Sequence, residues 1–343
     1  MSGKSNRRPS GGGQHRSSGG GRGSGGSRRG PAKGRDGQRG EGQRREGQRG
    51  TTPMRRSASE DARGQGGGRS QGNRGQGSRS SGRGPGGGGG TKKKSIGGDQ
   101  IEGRQAIREL LLAGARRPRE IVLAADLDPA PIIDEITQLA NEAKVPLREV
   151  GRGKFESMTT TDAPQGVLAF APPVVERDLA ELVVTRNGVQ PFLLVVDGVT
   201  DPGNLGALLR VAETAGVTGV VLPAHRSARL SPSVTKAAAG AIEYLAIAQV
   251  AGIPSALSDL KDHEVWTVGL DVASDSSIFD LRVATDPVAL VVGAEGRGLS
   301  RLVRERCDLI TTIPMAGRLD SLNAATAGAV ACFEIRRRRL QDA

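Results

Sequence analysis

From Gln190 onward, short apolar segments alternate with longer amphipathic ones, and this alternation is the strongest constraint on the fold. The segments predicted as strands are Phe192–Val196, Gly219–Leu222, Val265–Leu270, Ala289–Val292 and Leu309–Ile313. The segments predicted as helices are Leu205–Thr214, Pro232–Ala239, Ile253–Asp262, Leu302–Arg306 and a last one from about Asn323 to Leu340. Short apolar strands between helices are typical of a parallel sheet covered on both faces. We therefore expect a doubly wound α/β domain over residues 189–343, with ligands at the carboxyl ends of its strands.

A second α/β pattern precedes this one, over residues 99–172. Its predicted helices are Ile101–Leu112 and Pro131–Lys144, and its predicted strands are Glu120–Ala124, Val145–Val150 and Gly166–Phe170. Alternating strands and helices on this scale predict a small three-layer α/β domain. Pro172-Pro173 ends it, and residues 173–188 are expected to be a linker with a short helix at Leu179–Val184.

Residues 1–98 have a different composition from the rest. They hold 33 of the 52 glycines and 23 Lys and Arg against 5 Asp and Glu. The whole chain carries +12, so residues 99–343 carry a net charge of −6. A segment with so little apolar surface cannot offset its ordering entropy, which predicts a disordered tail. Its arginine-rich charge of one sign favours salt-dependent contact with RNA over a purely solvating role.

Several classes of protein and site are disfavoured by the sequence. No segment approaches the roughly 20 apolar residues of a membrane span, and the basic tail lacks the apolar core of a signal peptide. Cys307 and Cys332 do not have metal-binding spacing, and the three histidines are scattered. We expect reduced thiols and a cytoplasmic protein with no metal and no membrane contact.

The loop after the first predicted strand carries the first of three polar motifs. Residues 195–212 read VVDGVTDPGNLGALLRVA, with Asn204 before the helix and Arg210 on it. Asn204 suits either a helix N-cap or a ligand contact. Arg210 suits either an ion pair or a contact with phosphate and ribose.

The second motif, VVGAEGRGLS, spans residues 291–300. An apolar strand ends at Gly293, and Glu295 lies among glycines that allow a backbone to approach a ligand closely. This is not the G-x-G-x-x-G dinucleotide pattern. Glu295 either orients other groups of a site or belongs to a plain glycine-rich turn with a capping carboxylate.

The third motif, IPMAGRLDSLNAATAGAVACFEIRRRR, spans residues 313–339. Ser321 and Asn323 precede the last helix, whose first N–H groups lack partners and are suited to bind a ligand or to be capped by Asn323. The four arginines Arg336–Arg339 are suited to RNA contact or to a solvated helix end.

Together the three segments resemble motifs 1, 2 and 3 of the SpoU (TrmH-type) RNA ribose 2′-O-methyltransferases, within the SPOUT superfamily. The matching patterns are D-P-x-N-x-G-x-x-x-R, G-A-E-G-x-G and I-P-M-x-G-x-x-x-S-L-N, and the resemblance covers residues 99 to about 340. It is closest to the subgroup that methylates a guanosine in the peptidyl-transferase region of 23S rRNA. One departure is Ala163-Pro-Gln165-Gly166, where the family often has His-Gln-Gly.

The resemblance implies a fold and a cofactor. The fold is an α/β SPOUT domain whose C-terminal chain forms a trefoil knot, preceded by a small L30e-like domain that binds RNA. The cofactor is S-adenosylmethionine, and by carry-over Gly293, Ile313, Met315 and Leu322 line its site. The small residues between Ala324 and Ala331 imply a last helix that contributes to a homodimer interface, or that packs closely inside one chain.

The resemblance also assigns the reaction. Asn204, Arg210, Glu295, Ser321 and Asn323 are the expected catalytic residues, and Arg210 is the group that activates the ribose 2′-hydroxyl. Arginine stays protonated, so electrostatic stabilisation of the developing alkoxide fits better than general-base action. Three alternatives to 23S rRNA guanosine methylation remain: a tRNA guanosine, an rRNA adenosine in antibiotic resistance, and a non-catalytic RNA-binding role in ribosome assembly.

Overall fold

The computed structural model of the protein describes residues 94–342. The predicted disorder of residues 1–98 falls almost wholly outside the described residues. The predicted boundary at residue 99 is late, because strand β1 already occupies Ser95–Ile96 and pairs with Val174–Val175. Ile96 is buried in the core of the larger domain, described below, which anchors this segment.

The small domain is built on a four-stranded sheet in the order β2–β5–β3–β4. Its elements are β2 Gln100–Glu102, α1 Arg104–Ala113, β3 Glu120–Ala124, α2 Pro131–Glu142, β4 Leu147–Val150, α3 Arg152–Met158 and β5 Val167–Phe170. Helices α1 and α2 pack on one face, around Ile107 and Ile136, and Phe155 of α3 packs on the other. The small domain therefore has three layers.

The predicted helix over Ile101–Leu112 is wrong at its start. Gln100–Glu102 form a strand that pairs antiparallel with β5, and Gly103 then turns the chain into α1 with a left-handed φ of 99°. Helix α3 was not predicted, because Phe155 is its only buried residue and leaves no apolar periodicity.

The segment between the domains is partly ordered as a strand. Strand β6 is Val174–Val175, and helix α4 is Leu179–Leu182. The predicted linker 173–188 therefore begins inside a two-stranded sheet with β1.

The larger domain holds a six-stranded, all-parallel sheet in the order β12–β10–β11–β7–β8–β9. Its elements are β7 Phe192–Asp197, α5 Pro202–Thr214, β8 Gly219–Pro223, α6 Pro232–Ala237, β9 Ile247–Val250, α7 Ile253–Asp262, β10 Trp266–Leu270, β11 Val288–Gly293, α8 Arg301–Arg306, β12 Leu309–Thr311 and α9 Ala324–Gln341. Strand β9 was not predicted. It is a short edge strand that directly follows another apolar stretch, so the sequence gives no boundary between the two.

Helices cover both faces of this sheet, which confirms the doubly wound α/β architecture. Helices α5, α6 and α9 pack on one face, and α4, α7 and α8 pack on the other. The strand order reverses at β7, which has β8 on one side and β11 on the other. A crevice at the carboxyl ends of β7 and β11 is therefore the expected ligand site.

The small residues of α9 mainly pack inside the chain. A Cβ on Gly328 would lie 2.4 Å from Leu208 Cδ2 of α5, so any larger residue there would force the buried Leu208 side chain to shift. Ala324, Ala325 and Ala331 are also buried. The interpretation that these residues serve a dimer interface is therefore wrong for the buried ones, and close packing within one chain explains them.

The arginines at the end of α9 are largely structural. Arg337 and Arg338 pair with Glu334. Arg339 donates to the backbone oxygens of Gln190, Pro191, Ala284 and Asp286, and its guanidinium lies 5.1 Å from the ring centroid of Phe192. Burial lowers the pKa of Arg339 to about 10. The anchored Arg339 fits neither predicted role, RNA contact or solvated end, whereas Arg337, with its side chain 51% exposed, fits the solvated end.

Candidate active site

Three side chains from three distant motifs meet at the crevice between β7 and β11. Asn204 Nδ2 donates to Glu295 Oε2 at 2.8 Å. Asn323 Nδ2 donates to Asn204 Oδ1 at 2.8 Å and to Glu295 Oε2 at 3.4 Å. We call Asn204, Glu295 and Asn323 the motif cluster.

Asn204 reaches this cluster because it does not cap its helix. Helix α5 begins at Pro202, and Asp201 is its N-cap, with Oδ2 accepting from Asn204 N at 2.6 Å. Proline suits the first turn because no N–H donor is needed there. The interpretation of Asn204 as the N-cap is therefore wrong, and its side-chain amide is available to Glu295.

Glu295 is presented by a tight turn. Ala294 and Gly298 exchange two backbone hydrogen bonds, of 3.0 and 2.8 Å. A Cβ on Gly293 would lie 2.2 Å from the carbonyl carbon of Gly298, so the turn can approach the strand only at a glycine. Glu295 does not cap the next helix, because the N-cap of α8 is Ser300. The capping interpretation of Glu295 is wrong.

Asn323 combines the two roles that the sequence left open. Its Oδ1 accepts from Ala325 N at 2.9 Å and from Thr326 N at 3.3 Å, which caps α9. Its Nδ2 makes the two contacts of the motif cluster. The start of α9 and the geometry of the cluster therefore depend on one side chain.

A cavity of about 290 Å³ adjoins the motif cluster, and we call it the edge cavity. Its walls come from the ends of β10 and β11, the turn at residues 294–298, the segment 312–322 and the start of α9. All four residues predicted to bind the cofactor line it, together with Glu295 and Ser321; these four are Gly293, Ile313, Met315 and Leu322. Met315 and Leu322 are 38% and 39% exposed, so both are free to cover a ligand.

Asp271 is a residue of the edge cavity that the sequence reasoning missed. Its Oδ1 accepts from Ala273 N at 2.9 Å and pairs with Arg304 at 2.9 Å, which fixes the carboxylate with its side chain only 10% exposed. The available signal was an acidic residue directly after the apolar strand that ends at Leu270. That strand end carries no glycine-rich or Ser-x-Asn pattern, so it was not singled out.

Two of the predicted catalytic residues lie outside the motif cluster. Ser321 is exposed on the wall of the edge cavity, and its Oγ donates to Asp320 Oδ1 at 3.2 Å. Arg210 is exposed on α5 and does not line the cavity. Within residues 94–342 its guanidinium has no hydrogen bond and no ion pair, so one chain does not bring Arg210 to the other motif residues.

The part of the chain that the structure describes contains no cluster of three or more His, Cys, Asp or Glu side chains suited to hold a metal ion. No helix between residues 94 and 342 is both long and apolar enough to cross a membrane. Cys307 and Cys332 are free, and burial raises the pKa of each thiol to about 12. Both are therefore protonated at neutral pH and are poor nucleophiles.

The chain is similar to known RNA methyltransferases over both domains. Residues 191–333 match the SpoU rRNA Methylase family, and residues 100–175 match the family of RNA 2′-O ribose methyltransferase substrate-binding domains. The 23S rRNA (guanosine-2′-O-)-methyltransferase RlmB of Haemophilus influenzae is 37% identical over 249 residues, which cover 71% of this chain and 98% of that protein. A Staphylococcus saprophyticus protein assigned to the TrmH family of tRNA/rRNA methyltransferases is 36% identical over 242 residues, covering 70% of this chain and 95% of its own length.

A solved structure has the same architecture. The crystal structure of an RNA 2′-O ribose methyltransferase superposes with a TM-score of 0.58 at 28% identity, over 70% of this chain and 88% of that one. The chain therefore belongs to the SpoU family of RNA methyltransferases. The reaction class predicted from its motifs, methylation of a ribose 2′-hydroxyl in RNA, is confirmed.

Proposed function

We propose that the protein uses S-adenosylmethionine to methylate the ribose 2′-hydroxyl of a guanosine in 23S rRNA. The observation that carries the proposal is the motif cluster beside the edge cavity, at the carboxyl ends of β7 and β11. A small ligand and a ribose can share this crevice, which is the arrangement that methyl transfer between them requires. The H. influenzae relative carries the guanosine activity in its name.

The residues of the edge cavity fit the cofactor. Val292 and Ala324 supply apolar surface for an adenine ring, and the exposed Met315 and Leu322 are placed to cover it. Asp271 offers a fixed carboxylate, which is suited to accept hydrogen bonds from the hydroxyls of the cofactor's ribose. When bound, this cofactor supplies an electrophilic methyl group on a sulfonium.

The motif cluster is proposed to hold the target ribose. Transfer needs the 2′-oxygen in line with the methyl group, so fixed positioning accounts for much of the rate. Glu295 accepts from both side-chain amides and thereby fixes how Asn204 and Asn323 present their remaining polar atoms. Ser321, at the mouth of the cavity, is proposed to contact the substrate.

Arg210 is proposed to act within a homodimer. It lies on the exposed face of α5, and the neighbouring helix α9 leaves Phe333 48% exposed. We place the second copy of the chain against α5 and α9. Arg210 then lies at the edge of this interface, next to a target ribose. There a permanently charged guanidinium stabilises the alkoxide that develops on the 2′-oxygen.

Three further features belong to the proposal. The small domain is proposed to be L30e-like and to hold the rRNA. Residues 1–98 are proposed to add salt-dependent affinity for RNA.

The segment 312–323 leads from β12, at one edge of the sheet, to α9, which packs against α5. We propose that this segment forms a trefoil knot. The proposed location is the cytoplasm, where the rRNA substrate is found.

A map of 2′-O-methyl positions in rRNA and tRNA, with and without the protein, tests the target. Loss of one guanosine mark in 23S rRNA is the expected result. Loss of a tRNA mark would favour a second candidate function, methylation of a tRNA guanosine. This candidate is supported by the S. saprophyticus relative, which is assigned to tRNA/rRNA methylation. An rRNA adenosine mark would indicate the resistance activity, and no change in any mark would contradict a catalytic role.

Replacing Arg210 tests the mechanism. We expect Arg210→Ala to slow methyl transfer by about 10²- to 10³-fold, because removal of one oxyanion-stabilising group has this effect in other enzymes. Arg210→Lys keeps the charge and should be slowed less. Single-turnover transfer from labelled cofactor measures both, and Arg282→Ala, another exposed arginine, is the control. Near-normal turnover of Arg210→Ala would contradict the assignment.

A further inference from the structure

A second opening lies at the same edge of the larger domain's sheet, on the side of helices α7 and α8. It has a volume of about 860 Å³ and is formed by the loops after β7, β8 and β9 together with residues 294–302. We call it the basic cleft. Its charged and titratable lining residues are Asp197, His225, Arg226, Arg297 and Arg301.

The charges of the basic cleft are largely uncompensated. Its one carboxylate, Asp197, already accepts from Ser300 N at 2.7 Å. Between residues 94 and 342, the side chains of Arg226 and Arg297 have no ion pair and no hydrogen bond. Arg301 pairs only with the exposed Glu305, at 2.8 Å. Residues 99–343 carry a net charge of −6, so this concentration of arginines is a local feature and not the general character of the surface.

The backbone around Arg226 is fixed on both sides. Ser227 Oγ and Ala228 N each donate to Val199 O at 2.8 Å, and Ala224 N donates to Val250 O at 2.8 Å. Arg226 itself has a left-handed φ of 60°. A loop that is already held in place loses less conformational entropy when its arginine binds a ligand.

The basic cleft adjoins the edge cavity across one tight turn. Ala294, Arg297 and Gly298 line both, because one tight turn separates them. That turn also presents Glu295 to the motif cluster. The cleft is therefore a surface next to the motif cluster, within reach of a strand whose ribose lies there.

We propose that the basic cleft binds the phosphodiester backbone of the RNA strand next to the methylated nucleotide. The proposal rests on the proposed function, since it takes the motif cluster as the place of the target ribose. Arginine guanidinium groups are suited to phosphate oxygens, and such contacts fix register without reading sequence. Three arginines spread around 860 Å³ suit an extended polyanion better than a single small anion.

The test uses the full chain with Arg226→Ala and Arg301→Ala combined, a pair that spares the motif cluster and the edge cavity. The dissociation constant for a single-stranded RNA oligonucleotide is measured over a salt titration. We expect about tenfold weaker binding at low salt and a salt slope shallower by about 1.4, because each lost phosphate contact removes about 0.7. The matched control combines Arg186→Ala with Arg282→Ala, two exposed arginines outside the cleft.

Two further measurements make the result decisive. The pair Arg226→Lys with Arg301→Lys keeps both charges and should retain the wild-type salt slope. Calorimetric titration with S-adenosylmethionine should give unchanged cofactor affinity for every variant. Wild-type RNA affinity and slope in the alanine pair would overturn the inference, as would lost cofactor affinity with unchanged RNA binding.

The failure of the inference can be distinguished from that of the proposed function. Methyl transfer to rRNA by the wild-type protein is measured in parallel. If the wild type methylates rRNA and the alanine pair binds RNA normally, only the cleft assignment is wrong. If the wild type methylates no RNA, the proposed function is wrong, and the difference in RNA binding still decides the role of the cleft.

Discussion

Glu102 in the small domain and Glu295 in the larger one are identical side chains in opposite environments. Glu102 is fully buried and accepts hydrogen bonds from Gln100 Nε2, and from the backbone N–H and the hydroxyl of both Thr160 and Thr161. Glu295 is exposed and, within residues 94–342, accepts only from two side-chain amides, which themselves face the crevice. A carboxylate whose lone pairs are all used by the protein can stabilise a loop but cannot serve a substrate.

The arginines show the same contrast. Arg116 of the small domain pairs with Glu243 of the larger one, and their side chains are only 7% and 4% exposed. Arg116 also donates to Pro172 O at 2.8 Å. In the basic cleft, Arg226 and Arg297 have no protein partner among residues 94–342. The buried arginine that joins the two domains is therefore satisfied by the protein, whereas these two arginines at the carboxyl edge of the sheet remain available.

Arg116→Ala should give the largest loss of stability, because it leaves Glu243 buried without its partner. The expected decrease in the free energy of unfolding is about 3–5 kcal/mol, as for other broken buried ion pairs. Urea denaturation measures it. The double variant Arg116→Met with Glu243→Leu removes both charges and should recover most of the loss. A decrease below about 1 kcal/mol for Arg116→Ala would indicate that water reaches the pair.

Glu102→Gln should destabilise the small domain by about 1–3 kcal/mol, because an amide cannot accept all five hydrogen bonds. Affinity for S-adenosylmethionine should not change, since Glu102 is remote from the edge cavity. Denaturation and calorimetric titration measure the two quantities. Weakened cofactor binding would show that the two domains are coupled more closely than this contrast implies.

The same residue predicts a pH dependence. Burial alone would raise the pKa of Glu102, but the hydrogen bonds from Thr161 and Thr160 outweigh it and lower the pKa below its usual 4.5. Its contribution to stability is therefore complete above pH 4.5 and is lost as the pH falls through the lowered pKa. Between about pH 6 and about pH 3, the wild type should lose more stability than Glu102→Gln. Parallel losses in the two proteins would contradict the shift.

Substitutions of Asn323 should have the smallest effect on stability. They distinguish the helix-capping role of this side chain from its role in the motif cluster. Asn323→Ala removes the cap and should cost about 1 kcal/mol. Asn323→Asp keeps an oxygen for Ala325 N and Thr326 N, so its stability should stay near wild type. It nevertheless places a second carboxylate against Glu295 and should impair methyl transfer. Thermal denaturation and turnover measure the two effects, and an active Asn323→Asp would show that the cluster does not need the Asn323 amide.

The sequence indicated the site better than it indicated the local structure around it. Five of the six parallel strands are predictable, because each is a short apolar run between helices, and β9 is lost in a longer apolar stretch. The meeting of Asn204, Glu295 and Asn323 follows from parallel strands that end at one edge. Asp201 caps α5 through a contact only three residues away and is followed by proline, so the sequence does contain this signal. The anchoring of Arg339 instead depends on tertiary contacts that no local pattern contains.

The double use of Asn323 has a consequence for how the protein matures. Its oxygen holds the first turn of α9 and its nitrogen completes the motif cluster, so neither is finished before the other. Synthesis proceeds from the N-terminus, and the six strands of the sheet all precede this residue. A nascent chain can therefore build its sheet, with β7 and β11 side by side, and still hold no complete site. Docking of the last helix is the step that turns a folded scaffold into an active one.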